Sequence, residues 1–200
     1  MKDQTTENPE VGTGRRQRVD ARRNVESVLR AAMVVFARSG VDAPVREIAD
    51  EAGVGIGTLY RHFPKRSDLI AAAFRAEVDA CADAAWSLAA QHDSGDALSK
   101  WVCRYVEFII AKMGLATALH SGDPAYDDLH EYFETHLCPA LQMLLDAAVE
   151  TGEAQSGLAP KDLLFAIARL CACNGDDPSR SRRMIGLLLD GVRCQAPRPR

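Results

Sequence analysis

The sequence predicts an all-α fold, in which an N-terminal three-helix domain with a helix-turn-helix precedes a C-terminal helical domain. Apolar residues recur along most of the chain at steps of three and four, the spacing of a buried helix face. No segment shows a convincing apolar–polar alternation of the kind that marks a half-buried strand. Glycine and proline separate the helical stretches.

These patterns divide the chain into four segments. Residues 1–19 are predicted as a disordered basic arm, because the first fourteen (MKDQTTENPEVGTG) are polar and rich in Thr, Gly and Pro. Residues 20–66 form the helix-turn-helix domain and residues 67–194 the second helical domain. Residues 195–200 are predicted as a disordered tail.

Three helices are predicted in the first domain. The first covers residues 20–39 and stops at Gly40. Its buried face consists of Val25, Val28, Leu29, Ala32 and Phe36. Pro44 opens the second helix, Gly53 separates it from the third, and Pro64 ends the third because a residue before proline leaves helical geometry.

The second domain is predicted to contain longer helices. The first of them runs over residues 67–88 from Ser67 as N-cap, and the last two cover residues 161–173 and 179–192. Between them, one helix carries its bulky face on Trp101, Tyr105, Phe108 and Lys112. Another covers residues 126–149, in which Pro139 is expected to kink or break the helix.

Composition limits the environment of the protein. The chain is 47% apolar and 26% charged, it has no apolar run of about 18 residues, and its first residues show no apolar stretch behind a basic start of the kind expected in a signal peptide. We therefore expect a cytoplasmic protein that does not contact a membrane. Its six cysteines are irregularly spaced in apolar surroundings, which predicts reduced, buried thiols. Cys171 and Cys173 would point to different sides of a helix, so neither a metal nor another cofactor is expected.

Positive charge is concentrated at the front of the chain. Residues 1–75 hold 13 Lys and Arg against 10 Asp and Glu, whereas residues 76–200 hold 11 against 18. Only the front third is therefore expected to meet a polyanion. The densest basic cluster consists of Arg15, Arg16, Arg18, Arg22 and Arg23. It is either an extension that follows the DNA backbone or a solvated face.

The stretch VGIGTLYRHF, residues 54–63, has two possible interpretations. A phosphate-binding loop needs glycines after a strand and usually a GK[ST] ending, and neither is present. A helix-turn-helix needs a small residue where its helices cross, which Ala49 supplies, and a glycine at the turn, which Gly53 supplies. The inward apolar set is Ile48, Ala52, Val54 and Leu59. Residues 55–62 are therefore predicted as a recognition helix for the DNA major groove.

The run VREIADEAGVGIGTLYRHFPKRSDLI, residues 45–70, closely resembles the DNA-binding region of the tetracycline-repressor (TetR-like) family of bacterial regulators. The later segments SGLAPKDLLFAIARL and RRMIGLLLDGVR look like the last two helices of many members. The resemblance implies a homodimer on a near-palindromic operator in double-stranded DNA. It also implies a repressor that a small-molecule effector releases from the operator.

The resemblance assigns roles within the first domain. Arg46 matches a position that often reads a base, and Ile56 and Gly57 match positions that face base edges. Gly55 and Gly57 keep bulk away from the DNA. Thr58, Tyr60, His62 and Lys65 match phosphate-binding positions. Arg66 is expected to reach a phosphate because of its place directly after the recognition helix. Val45 departs from the family, which often has a phosphate-binding or capping threonine there. The open alternatives are that Tyr60 packs inside and that Arg46 forms a surface ion pair.

The resemblance also places an effector cavity and a dimer seam in the second domain. The bulky residues proposed to line a cavity for a flat or hydrophobic effector are Trp101, Tyr105, Phe108, Met113, Tyr126, Phe133, His136 and Met143. The apolar stripes proposed for a four-helix dimer seam are Leu164, Ala168, Cys171, Ile185, Leu188 and Val192. The alternatives are ordinary core packing for the first set and closure of the subunit's own core for the second.

An enzyme and a DNA-binding protein without a ligand are the two other classes of function. An enzyme is disfavoured, because the sequence has no nucleophile, base and orienting residue at credible spacing and no cofactor fingerprint. A helical DNA-binding or architectural protein without a ligand stays open as the alternative.

Overall fold

The computed structural model describes the backbone of residues 11–173 and 177–193 and the side chains of residues 23–172, 177 and 179–193. Within these ranges the chain forms helices and turns without a strand, so the predicted all-α class is confirmed. The helices are α1 (Val11–Ser39), α2 (Val45–Ala52), α3 (Ile56–His62), α4 (Arg66–Gln91), α5 (Ser94–Met113), α6 (Ala116–Leu119), α7 (Leu129–Glu150), α8 (Pro160–Cys173) and α9 (Pro178–Val192). A single 3₁₀ turn, Pro124–Tyr126, precedes α7.

The first three helices share a small core. Ala32, Phe36, Ile48 and Leu59 are almost completely buried and bring α1, α2 and α3 together. Ala49 is 2% exposed at the α2–α3 crossing, where a larger side chain would push the two helices apart. The predicted three-helix arrangement is therefore present.

The second part of the chain is a helical layer built on α4, α5 and α7, with α8 and α9 packed outside it. Its centre is aromatic: Trp101 stacks on Tyr105 at a ring distance of 5.7 Å, and Phe108 stacks on Phe133 at 6.1 Å. The buried Trp101 Nε1 donates a 2.8 Å hydrogen bond to the carbonyl of Cys81, so its polar atom is satisfied.

The two parts of the chain meet at the end of α5. A Cβ atom on Gly114 would lie only 2.5 Å from the carbonyl oxygen of Phe36 and 3.1 Å from the Cα atom of Ala37, both on α1. Only glycine allows this approach, so α5 ends directly against the last turns of α1.

Several boundaries differ from the prediction. Helix α1 begins at Val11 and not at residue 20, so residues 11–19 are helical and not a disordered arm. The arginines and glutamine of residues 15–18 are good helix formers, and they continue the helix that begins the first domain. The rest of the predicted arm, residues 1–10, and the predicted tail, residues 195–200, lie outside the described residues.

Pro139 does not break α7, which is assigned as helix from Leu129 to Glu150. The proline faces solvent, while Leu137 and Leu141 are fully buried on either side of it. Packing of both halves against the core therefore outweighs the loss of one backbone hydrogen bond.

The four cysteines with described side chains are free thiols. Cys81 and Cys171 are buried as predicted, and burial raises the pKa of Cys81 to about 12. Cys103 is exposed, which contradicts the prediction for this residue, and Cys138 is only half-buried against the core. None of the described helices combines the length and apolar character needed to cross a bilayer.

Candidate nucleic-acid interface and effector cavity

The turn between α2 and α3 is built by two glycines. Gly53 has φ of 67°, a left-handed conformation that disfavours any side chain, and the next amide, Val54 N–H, donates to the carbonyl of Ala49 at 3.0 Å. The carbonyl of Gly55 then accepts from the N–H of Thr58 at 2.9 Å and begins α3. This sharp turn leaves one side of α3 free.

The free side of α3 carries most of the predicted DNA contacts. Ile56 is 44% exposed and Tyr60 is 50% exposed, while His62 and Lys65 are also exposed and Thr58 is half-buried. Tyr60 therefore does not pack inside the domain.

Neither Gly55 nor Gly57 is required by packing within the chain. A Cβ atom at either position would meet nothing within 4 Å. Both residues have negative φ, so a side chain would cause no backbone strain. Their small size thus suits the approach of an external partner.

Arg46 lies exposed near the start of α2 and forms no ion pair with any residue that the structure describes. The neighbouring acidic residues of α2 instead face Arg38, which lies 3.9 Å from Glu47 and 3.8 Å from Glu51. The alternative of a surface ion pair at Arg46 therefore finds no support among the described residues.

Arg66, which was predicted to reach a DNA phosphate, is hydrogen-bonded within the chain. Its guanidinium donates to the carbonyl of Val41 and, at 2.6 Å, to the carbonyl of Ala43. The side chain is partly buried and points into the turn between α1 and α2. The sequence around Lys65 and Arg66 could not predict these hydrogen bonds, because the two carbonyl groups belong to residues more than twenty positions earlier in the chain.

Arg61 is an exposed cation that the sequence analysis passed over. It lies one turn after Gly57 and opposite the buried Leu59, so it shares the outward side of α3. Its spacing of two residues from Leu59, an inward apolar residue, is the sequence feature that predicts an outward side chain at Arg61. The predicted basic extension is described only at Arg23, which is exposed; the side chains of Arg15, Arg16, Arg18 and Arg22 lie outside the described residues.

A cavity of about 150 Å³ opens between α4, α5 and α7, close to the first domain. Its lining residues are Phe74, Lys112, Leu119, His120, Tyr126, Leu129, His130 and Phe133. Of the eight residues predicted for an effector cavity, Tyr126 and Phe133 are among them.

The other six predicted cavity residues do not line this space. Trp101, Tyr105 and Phe108 are fully buried in the aromatic core, and Tyr105 also donates to the carbonyl of Leu164 at 3.1 Å. Met113 is 41% exposed, because it follows the last buried turn of α5. Met143 is half-buried against the core. His136 is half-buried, and its Nδ1 lies 2.8 Å from the carbonyl oxygen of Tyr132.

Lys112, His120 and His130 are basic residues of this cavity that were not predicted to line it, and Lys112 is the most buried of the three. Its Nζ lies 5.6 Å from the ring centre of Phe74 and 5.4 Å from that of Phe133. Burial lowers the pKa of this lysine, since a desolvated ammonium is disfavoured. The helical spacing of the sequence predicts Lys112 on the same face of its helix as Trp101, Tyr105 and Phe108, but it does not indicate a function for the lysine.

The predicted dimer seam needs correction. Leu164, Cys171, Ile185 and Val192 are at most 4% exposed within one subunit, so they close the subunit's own core. Ala168 and Leu188 are partly buried against the same core. A helical stripe of apolar residues shows that one face is covered, but not whether the subunit or a second copy covers it. The exposed apolar side chains on these helices are Phe165, Met184 and Leu187.

Known proteins resemble both parts of the chain. Residues 28–73 match the family described as "Bacterial regulatory proteins, tetR family". Residues 93–194 match "Transcriptional regulator SbtR-like, C-terminal domain". An HTH-type transcriptional regulator of Staphylococcus aureus (strain USA300) is 43% identical over 53 residues, which are 26% of this chain and 29% of the length of that relative.

Two solved structures cover more of the chain. A TetR transcriptional regulator from Streptomyces coelicolor is 38% identical, with a TM-score of 0.75 over 86% of this chain and 99% of that one. A TetR transcription regulatory protein from Mycobacterium vanbaalenii is 31% identical, with a TM-score of 0.69 over 88% of this chain and 99% of that one. With its helix-turn-helix, its helical second part and these matches, the chain is a DNA-binding transcriptional regulator of the TetR family.

Proposed function

We propose that the protein is a homodimeric repressor that binds a near-palindromic operator and is released from it by a small molecule in the cavity of α4, α5 and α7. One observation carries this proposal: α4 lines the cavity through Phe74 and, at its first residue, Arg66, holds the turn between α1 and α2. Helix α4 thus contacts both the proposed effector cavity and the domain that carries α3.

DNA recognition in this proposal depends on the exposed side of α3 and on Arg46. Arg46 reads a base edge, Ile56 contacts a thymine methyl, and Gly57 lets the helix enter the major groove. The cations and polar groups proposed to bind phosphates are Thr58, Tyr60, Arg61, His62 and Lys65. Arg66 is left out because its guanidinium is engaged within the chain.

Two polar links connect α4 to α7 beyond the cavity. The guanidinium of Arg75 lies 2.7 Å from Asp128, and the hydroxyl of Tyr132 donates to Asp79 at 2.6 Å. A molecule that separates Phe74 from Phe133 must also change the spacing of α4 and α7. It releases DNA only insofar as it binds the displaced arrangement more tightly than the DNA-bound one.

The dimer surface in this proposal is the outer face of α8 and α9. Phe165 and Met184 are 40% and 41% exposed, and Leu187 is 65% exposed. An exposed apolar group of this size suits an interface between two copies. The buried residues behind it fix the relative position of the two helices.

The test is binding to the DNA that flanks the gene, measured by fluorescence anisotropy at several salt concentrations. We expect one footprinted site with two half-sites about one helical turn or slightly more apart, and an affinity that falls steeply with salt. A library of small metabolites is then added to the complex. Release by a metabolite supports the repressor; binding without any release supports the ligand-independent architectural alternative, and an absence of salt-dependent DNA binding would contradict both.

A further inference from the structure

The cavity contains a cation without a counter-charge. Lys112 is half-buried, and no carboxylate of the described residues lies within 4.0 Å of its Nζ. Among the other described lysines, Lys100 lies 3.6 Å from Asp96 and Lys161 lies 2.8 Å from Glu134, while Lys65 forms no ion pair with a described residue but is exposed. Lys112 therefore combines partial burial with the lack of a counter-charge, which none of these three exposed lysines does.

The walls of the cavity explain how the cation is tolerated. The rings of Phe74 and Phe133 both lie within 6 Å of Nζ, close enough for a cation–π attraction. This attraction only partly replaces the water that an ammonium loses on burial. A partner that brings a full negative charge would complete the compensation.

The remaining lining residues limit the chemistry of that partner. None of the eight carries a carboxylate, so an anion meets no like charge on the cavity wall. Four lining residues offer apolar contacts to the uncharged part of a bound anion: Phe74, Leu119, Leu129 and Phe133. A volume of about 150 Å³ is similar to that of an apolar cavity known to hold one benzene ring in another protein.

The remaining lining residues are Tyr126, which is half-buried, and two histidines. The His120 Nδ1 lies 2.7 Å from the carbonyl oxygen of Ala116, and the His130 Nε2 lies 3.0 Å from Glu134. Both histidines already have a partner and lie exposed at the opening. Lys112 is left as the charged group deeper in the cavity. One buried cation beside four apolar side chains fits a singly charged carboxylate with an apolar body better than a multiply charged and strongly hydrated phosphate.

We propose that the effector is a small monocarboxylic acid with one ring or a short aliphatic body, whose carboxylate pairs with the Lys112 ammonium while its body lies between Phe74 and Phe133. This inference rests on the proposed function, since it names the ligand class of the same cavity. Lys112 lies two residues before Gly114, where α5 touches α1. An acid bound at Lys112 therefore contacts both helices, α4 and α5, that reach the DNA-binding domain.

The experiment compares acids with their neutral amides of the same shape. Isothermal titration calorimetry of the full chain uses benzoate and benzamide, phenylacetate and phenylacetamide, and hexanoate and hexanamide. We expect at least one acid to bind about tenfold more tightly than its amide, the difference that one charge-assisted pair supplies. Equal affinities within every pair, or no binding of any acid, would overturn the proposal.

Variants then locate the charge. In Lys112→Met, which keeps the length and apolar stem of the side chain, the acid should lose about tenfold in affinity and the amide should not. Lys112→Arg keeps the cation and should retain the preference for the acid, which also covers the case that the Met variant fails to fold. Lys100→Met removes an exposed cation and should change neither affinity. Acid binding that is unchanged in folded Lys112→Met would refute the assigned site.

The inference and the proposed function fail in different ways. If an acid binds through Lys112 but leaves the protein–DNA complex intact, the ligand site stands and the release mechanism fails. If another metabolite releases the DNA while no acid is preferred over its amide, the repressor stands and the carboxylate inference fails.

Discussion

At the scale of single residues, Arg46 and Lys65 are both exposed cations near α3, yet we assign them different tasks. Arg46→Ala should relax base preference at one position of each half-site and cost about 1–3 kcal/mol on the cognate operator. Lys65→Ala should weaken cognate and scrambled DNA about equally and reduce the salt slope by about 1. Anisotropy titrations of both variants on both DNAs measure this. Equal losses on cognate and scrambled DNA for both variants would contradict the two roles.

At Gly57, a substitution is expected to have opposite effects on folding stability and on DNA affinity. Alanine fits there without contact and favours a helix over glycine by about 0.5–1 kcal/mol, so Gly57→Ala should raise the free energy of unfolding. The added methyl group faces the proposed groove, so we expect operator affinity to fall about tenfold, or ~1.4 kcal/mol. Urea unfolding and anisotropy measure the two changes. Ser87→Ala, on the exposed side of α4, is the control and should leave DNA affinity unchanged. A stabilised variant with full affinity would argue against α3 as the recognition helix.

Lys112 has a measurable effect on stability without any ligand. Its pKa in the folded chain lies below the ordinary value of 10.5, so its charge opposes folding at neutral pH. This penalty disappears as the pH rises through the folded pKa towards 10.5, because the folded chain then loses the proton before the unfolded chain does.

Lys112→Met should therefore melt at a higher temperature than the wild type at pH 7. The difference should shrink as the pH approaches 10.5. Thermal unfolding of both proteins across this range measures it, with Lys100→Met as the surface control. A difference that stays constant with pH would mean that the charge of Lys112 is not what destabilises the chain.

At the scale of elements, the helix-turn-helix could be predicted from the sequence because its constraints are local. Ala49, Gly53 and Leu59 lie within eleven positions, and each needs a specific size or backbone conformation. The cavity could not be predicted in this way. Trp101, Tyr105 and Phe108 share a helical face with Lys112, but only the packing of α4 and α7 decides that the aromatic residues close the core and the lysine meets the cavity.

The same limit applies to Arg66 and to α8 and α9. The sequence shows that Arg66 is the second of two adjacent basic residues, but its carbonyl partners, Val41 and Ala43, belong to the turn before α2. Likewise, the periodicity of Leu164 and Ile185 shows a covered face without showing what covers it.

The contact between α5 and α1 is the element that joins the two parts of the chain. Gly114→Ala places a methyl group against the backbone of Phe36 and Ala37, which cannot move like a flexible side chain. We expect a loss of about 1–3 kcal/mol in the free energy of unfolding, the usual cost of overpacking. Urea unfolding measures it, and Gly57→Ala, which meets open space, is the matched control. Equal stabilities of Gly114→Ala and wild type would mean that α5 and α1 do not touch as described.

At the scale of the whole molecule, the exposed apolar face of α8 and α9 determines whether two recognition helices can bind one operator. Leu187 is 65% exposed and lies beside Met184 on this face, whereas Trp86 is 64% exposed on α4. Leu187→Glu should place a charge in the proposed interface and shift the protein to a monomer, because two facing carboxylates repel and lose water there. Trp86→Glu removes a similarly exposed apolar group and should leave the dimer intact. Sedimentation velocity measures both states.

Monomeric Leu187→Glu should also lose most of its operator affinity, since each subunit then binds a half-site alone. A dimeric Leu187→Glu together with a monomeric Trp86→Glu would move the interface from α9 to α4.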